Sequence, residues 1–122
     1  MKAHMIVAAM AVVAVSGFHS SPTLAGGGTE LTKAQSRPSF NCSRARTRVE
    51  HLICGDTYLG QLDRRMATAY SAFLRRISRS EQARLRENQR LWLADRSDCS
   101  TVDCLVGAYE DRIAWLEGFG RY

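Results

Sequence analysis

Four cysteines, Cys42, Cys54, Cys99 and Cys104, constrain what this chain can fold into more than any other feature. An even number in a short exported chain reads as two disulfides, and four cysteines allow three pairings. The local pairing, Cys42 with Cys54 and Cys99 with Cys104, is the expected one. Two residues five apart in one continuous helix face different ways, so a Cys99–Cys104 bridge requires the chain to turn between them. Closing these two loops contributes about 3 and about 2 kcal/mol in the loop-entropy picture, which matters for a core this small. The rival use of the thiols is a metal site, with His51 three residues before Cys54. These spacings fit no common zinc module, and no metal or cofactor is expected.

That reading depends on export, and the N-terminus supports it. Lys2 precedes an uninterrupted apolar run of 11 residues, Met5 to Val15, and a polar stretch, Ser16 to Ala25, then ends in small residues at the positions a signal peptidase reads. This is the three-part pattern of a secretory signal peptide, with cleavage expected near Ala25. The run is too short to span a bilayer, which takes roughly 20 residues, so no stable membrane anchor is expected. The mature chain is expected in the periplasm or secreted. Cleavage leaves 97 of the 122 residues, enough for one small domain. Of the 17 basic residues only Lys2 is removed, leaving 16 against 12 acidic, or +4. Nearly all are arginine, a balance that suits loose attraction to anionic partners without selecting among them.

Residues 26–39 are glycine-rich, polar and aperiodic, which predicts a flexible leader whose deletion leaves stability unchanged. The domain is expected over 40–118, with 119–122 as a tail. Thr47 and Glu50 have the spacing of a capping box, opening a short helix that carries Val49, Leu52 and Ile53. Asp56 caps a second helix with apolar positions at Leu59, Leu62, Met66, Ala69/Tyr70, Phe73 and Ile77. Ser80 with Glu81 opens a third, bearing Leu85 and Trp92, with Leu91 or Leu93 as further inward candidates. Asp98 to Thr101 breaks it. The last runs from about Val102 to Glu117, with Leu105, Ala108/Tyr109, Ile113 (or Arg112) and Leu116 on one face. No segment alternates with period two, so the expected fold class is all-α: one short helix plus three longer ones, stapled by disulfides.

Taken together, these segments closely resemble a small exported bacterial family, the LprI type, named for a lysozyme inhibitor. The resemblance rests on the Cys42/Cys54 spacing, Leu59-Gly-Gln-Leu-Asp63, Gln89-Arg-Leu-Trp-Leu-Ala-Asp-Arg96, the Cys99/Cys104 pair and Tyr109-Glu-Asp-Arg112. It covers about Phe40 to Leu116. It implies a helical, disulfide-bonded domain that binds and inhibits a protein partner, lysozyme by the family's name; a monomer is expected. No cysteine follows the apolar run to take a lipid. The alternatives are a periplasmic structural or stress-associated interaction module that does not inhibit lysozyme, and a binder of anionic envelope polymer.

The residues themselves argue against catalysis. The mature chain has one histidine, His51, and its thiols are committed to disulfides, which leaves no nucleophile–base pair. The carboxylate pairs Asp95/Asp98 and Glu110/Asp111 lie near Arg96 and Arg112, where ordinary ion pairing is the simpler account. Around Trp92, the side chains of Gln89, Arg96 and Cys99 share one helical side. Buried amide and guanidinium groups must be hydrogen-bonded, so this stretch reads as a structural polar clamp of Glu50, Asp63, Gln89, Arg90, Trp92 and Arg96. Glu50, Asp63 and Glu110 are the candidate partners of Gln89 and Arg96. The candidate partner-binding residues are Arg44, Arg46 and Arg48, three guanidinium groups within the first disulfide loop. Such groups can clasp carboxylates, including the catalytic pair of a lysozyme cleft. Their plain alternative is a solvated basic loop. Nucleic acid is not expected as a partner.

Overall fold

The structure, a computed structural model, describes Lys33 and residues 36–118. The expected signal peptide at 1–25, most of the expected leader and the tail expected at 119–122 lie outside the described residues.

A 3-10 turn at Cys42–Arg44 leads into four helices: α1 (Arg48–Gly55), α2 (Thr57–Leu74), α3 (Arg79–Ser97) and α4 (Val102–Gly118). No strand occurs among the described residues. The protein is the small all-α, disulfide-stapled domain expected from its sequence. Both disulfides take the local pairing, with Cα–Cα distances of 5.8 Å for Cys42–Cys54 and 5.5 Å for Cys99–Cys104.

Local chemistry sets where each helix begins. At α1 the Thr47 hydroxyl accepts from the Glu50 N–H, and the Glu50 carboxylate accepts from the backbone N–H groups of Arg46 and Thr47. These bonds hold the Glu50 carboxyl below its usual range. Asp56 caps α2 by accepting from Leu59 N–H. The third helix begins two residues earlier than the Ser80 opening anticipated. Ser78 and Glu81 form the reciprocal capping box there, and Ser78's hydrogen bonds depress the Glu81 carboxyl. Ser80 lies inside the helix, because serine-rich sequence offers several cap positions and only Ser78 stands three before a glutamate. Thr101 serves α4, its Oγ1 accepting from Cys104 N–H.

The core is a stack of Val49 and Ile53 from α1, Leu59, Leu62 and Met66 from α2, Leu85 from α3, Cys99, and Leu105, Tyr109, Ile113 and Leu116 from α4. The backbones of α2 and α4 approach most extensively, with α1 laid on α2. α3 buries only Leu85 and Gln89 from its whole length. It therefore meets the other helices largely through big polar and aromatic side chains, and Leu91, one of the inward candidates, is half exposed.

The end of the expected leader is part of the fold. Pro38 is buried, and Ser39 donates from its N–H and its hydroxyl to Asp63 Oδ2, both at 2.6 Å. Arg64 on α2 donates to the carbonyls of Arg37 and Pro38. Gly60 permits this contact, since a Cβ there would collide with the Ser36 carbonyl. Residues 36–39 thus dock as a strap across α2. The expectation of a featureless leader fails over these four residues because their order depends on a distant carboxylate and a glycine that composition does not reveal.

Candidate functional site

Two regions carry the residues singled out by sequence: a buried polar seam between α2, α3 and α4, and the exposed arginine loop before α1.

Asp63 anchors the seam. It is 1% exposed and accepts from the Tyr109 hydroxyl at 2.6 Å as well as from Ser39. Arg96 donates to the same hydroxyl at 2.8 Å and stands 3.7 Å from Asp63 Oδ1 as its ion-pair partner. Tyr109 is wholly buried, and its phenol is pushed far above the usual tyrosine range by desolvation first and by the adjacent Asp63 charge second. Trp92 meets Tyr109 edge to face at 5.3 Å between ring centroids. The Arg96 guanidinium lies 5.8 Å from the Trp92 ring centre and 5.9 Å from that of Tyr109, while its buried Nε has no hydrogen-bond partner among the described residues.

A second cluster adjoins the first. Arg112 donates from Nε and one terminal nitrogen to Gln89 Oε1, at 3.0 and 2.7 Å, and from the other to Asn88 at 2.7 Å. The Gln89 amide donates in turn to the Met66 sulfur. Among the described residues no carboxylate pairs with Arg112, and burial lowers its pKa from the usual arginine value. Its charge rests instead on two indoles, 5.6 Å from the Trp92 ring centre and 4.5 Å from that of Trp115.

The structure unites Asp63, Gln89, Trp92 and Arg96 in this seam and leaves two expected members outside it. Arg90 points away and pairs with Glu87 on the exposed face of its own helix. Glu50 caps α1, and Glu110 accepts from Tyr58, which raises the Tyr58 pKa. The anticipated partners of Gln89 are replaced by Arg112 and Met66. Arg96 and Arg112 are likewise not partners of the Asp95/Asp98 and Glu110/Asp111 pairs. Four seam residues, Tyr109, Arg112, Asn88 and Ser39, were not assigned to the clamp. Tyr109 and Arg112, three apart, did carry a signal, since both were candidates for the inward face of the last helix, Tyr109 with Ala108 and Arg112 in place of Ile113.

The loop differs in every respect. Arg44 ends the 3-10 turn, Arg46 gives only its backbone N–H to Glu50, and Arg48 opens α1, with all three side chains exposed. Elsewhere, an apolar concavity of about 500 Å³ lies among Phe73, Ile77, Leu85 and Trp115. His51 is exposed, all four cysteines are in disulfides, and no group of three or more metal-ligating side chains converges among the described residues. No described helix is long and apolar enough to cross a membrane.

Two short disulfide loops and a buried Asp–Tyr–Arg seam define the class of this fold: a small, disulfide-stapled all-α domain. Residues 41–116 match the family model described as Lysozyme inhibitor LprI, and the chain belongs to that family. No curated protein and no solved structure matches the chain significantly.

Proposed function

We propose that this protein is an exported, non-catalytic inhibitor that binds a lysozyme or related wall hydrolase and blocks its cleft. Family membership over 41–116 is the observation that carries this reading. The two disulfides fit an oxidising compartment, and a signal peptide cleaved near Ala25 would deliver the chain there, to the periplasm or beyond, as a monomer. The contact surface in this reading is the loop of Arg44, Arg46 and Arg48. Guanidinium groups match carboxylates in paired geometry, and the disulfide tie reduces the ordering cost of presenting them. The mature chain's net charge opposes a strongly basic lysozyme, so a less basic hydrolase is the better target.

The test is turbidity loss of a bacterial wall suspension, with oxidised protein titrated against a basic and a less basic lysozyme at two salt concentrations. Inhibition saturating near one-to-one and surviving the higher salt is expected, with the triple change Arg44→Ala, Arg46→Ala, Arg48→Ala weakening it by about tenfold or more. Inhibition untouched by the triple change would move the contact off the loop. No inhibition of either enzyme would leave a non-inhibitory interaction module.

A further inference from the structure

The outward face of α2 holds an arrangement that neither the fold nor the inhibitor reading uses. Arg64, Thr68, Ser71 and Arg75 follow one another at steps of four, three and four, so they form one stripe along the helix, opposite the buried Leu62 and Met66. With Ser39 and Ala67 they line an open hollow of about 350 Å³. No acidic residue lines it.

The donors in this hollow are uncommitted or pre-set. Arg64 is held in place by its bonds to the carbonyls of Arg37 and Pro38, through Nε and one terminal nitrogen. Its other terminal nitrogen has no partner among the described residues, and neither has the Arg75 guanidinium. The hydroxyls of Thr68 and Ser71 are likewise unbonded there. Ser39 has spent its donors on Asp63 and serves as wall.

Guanidinium groups combined with hydroxyl donors and no carboxylate suit tetrahedral oxyanions, which accept from several directions at once. Three helical turns separate the two arginines, roughly 16 Å at 1.5 Å per residue. A single phosphate does not span that, whereas a chain of them does. No aromatic side chain lines the hollow, so nothing there would stack a nucleobase. We infer that the Arg64–Thr68–Ser71–Arg75 face is a binding site for a linear, base-free phosphate polymer, separate from the arginine loop and independent of any lysozyme inhibition.

The experiment measures binding of short-chain inorganic polyphosphate to the full oxidised protein by titration calorimetry across a salt series, with polyglutamate as a carboxylate polyanion. Arg75→Gln is expected to weaken polyphosphate binding about tenfold and to lower the slope of log affinity against log salt by about one. Thr68→Ala with Ser71→Ala is expected to cost about threefold. Arg48→Gln removes the same charge from another exposed site and is expected to change affinity less than about twofold. All these positions are exposed, so unchanged melting temperatures verify the fold. Equal losses from Arg75→Gln and Arg48→Gln would reduce the effect to net charge and overturn the site. So would polyglutamate binding as tightly as polyphosphate, or no polyphosphate binding at low salt.

Discussion

Arg96 and Arg112, in the seam between α2, α3 and α4, contrast with Arg44, Arg46 and Arg48 on the disulfide-tied loop. The first two have defined acceptors and lie on aromatic rings. The other three extend into solvent with no side-chain bond among the described residues. The residue type is the same and the chemistry is opposite, because burial decides what an arginine must do. A guanidinium that has lost most of its water is held by the acceptors and rings that replace it, which fixes its neighbours, even though one Arg96 donor, Nε, is left without a partner among the described residues. An exposed one keeps its water and stays available to a partner. The Gln89–Arg96 stretch, one of the segments that carry the family resemblance, is therefore mainly framework, because Gln89, Trp92 and Arg96 are bonded or packed within the domain.

The largest test of this contrast is Asp63→Ala. It strips the Tyr109 hydroxyl, both Ser39 donors and Arg96 of their common acceptor, and leaves the Arg96 cation, its side chain only 13% exposed, without its ion-pair partner. A loss of about 3–5 kcal/mol in urea-induced unfolding is expected, against a change within about 0.5 kcal/mol for the triple loop substitution. Comparable effects from the two would erase the distinction.

Next in size is the strap. Removing residues 26–35 should leave stability nearly unchanged, while removing 26–39 takes both Ser39 donors from a buried carboxylate. That longer deletion should cost about 1–3 kcal/mol, and Gly60→Ala should approach it by displacing Ser36. Identical stability of the two deletions would detach the strap from the seam.

The smallest effect concerns acid. The Glu50 and Glu81 carboxyls are depressed by the bonds they accept in their capping boxes. Their contribution is present above the unfolded-state carboxylate value of about 4.3 and is lost as pH falls through the lower folded values. The double change Glu50→Gln, Glu81→Gln should lower the melting temperature slightly at pH 7 and flatten its decline towards pH 3. A decline as steep as the parent's would assign acid sensitivity elsewhere.

Much of this was legible beforehand. Helix count, disulfide pairing, the Thr47–Glu50 box and the Asp56 cap rest on spacings within a dozen residues, where chain geometry leaves few options. The seam was legible only in outline: Gln89, Trp92 and Arg96 mark one inward helical side, yet nothing local says which acceptor each will meet. Glu50 and Asp63 are equally good candidates in sequence. Asp63 won because it sits on the buried face of α2 beside Tyr109, whereas Glu50 had nearer donors at its own helix start.

The sequence by itself thus determined the helices, the caps of α1 and α2, the local bridges and the family, since each depends on interactions between near neighbours. Only the tertiary structure decided that Ser39 belongs to the domain, that Arg112 rather than Arg90 completes the seam, and that Arg64 and Arg75 line one hollow on α2. Those outcomes depend on desolvation, and which groups lose their water is settled only when the helices pack.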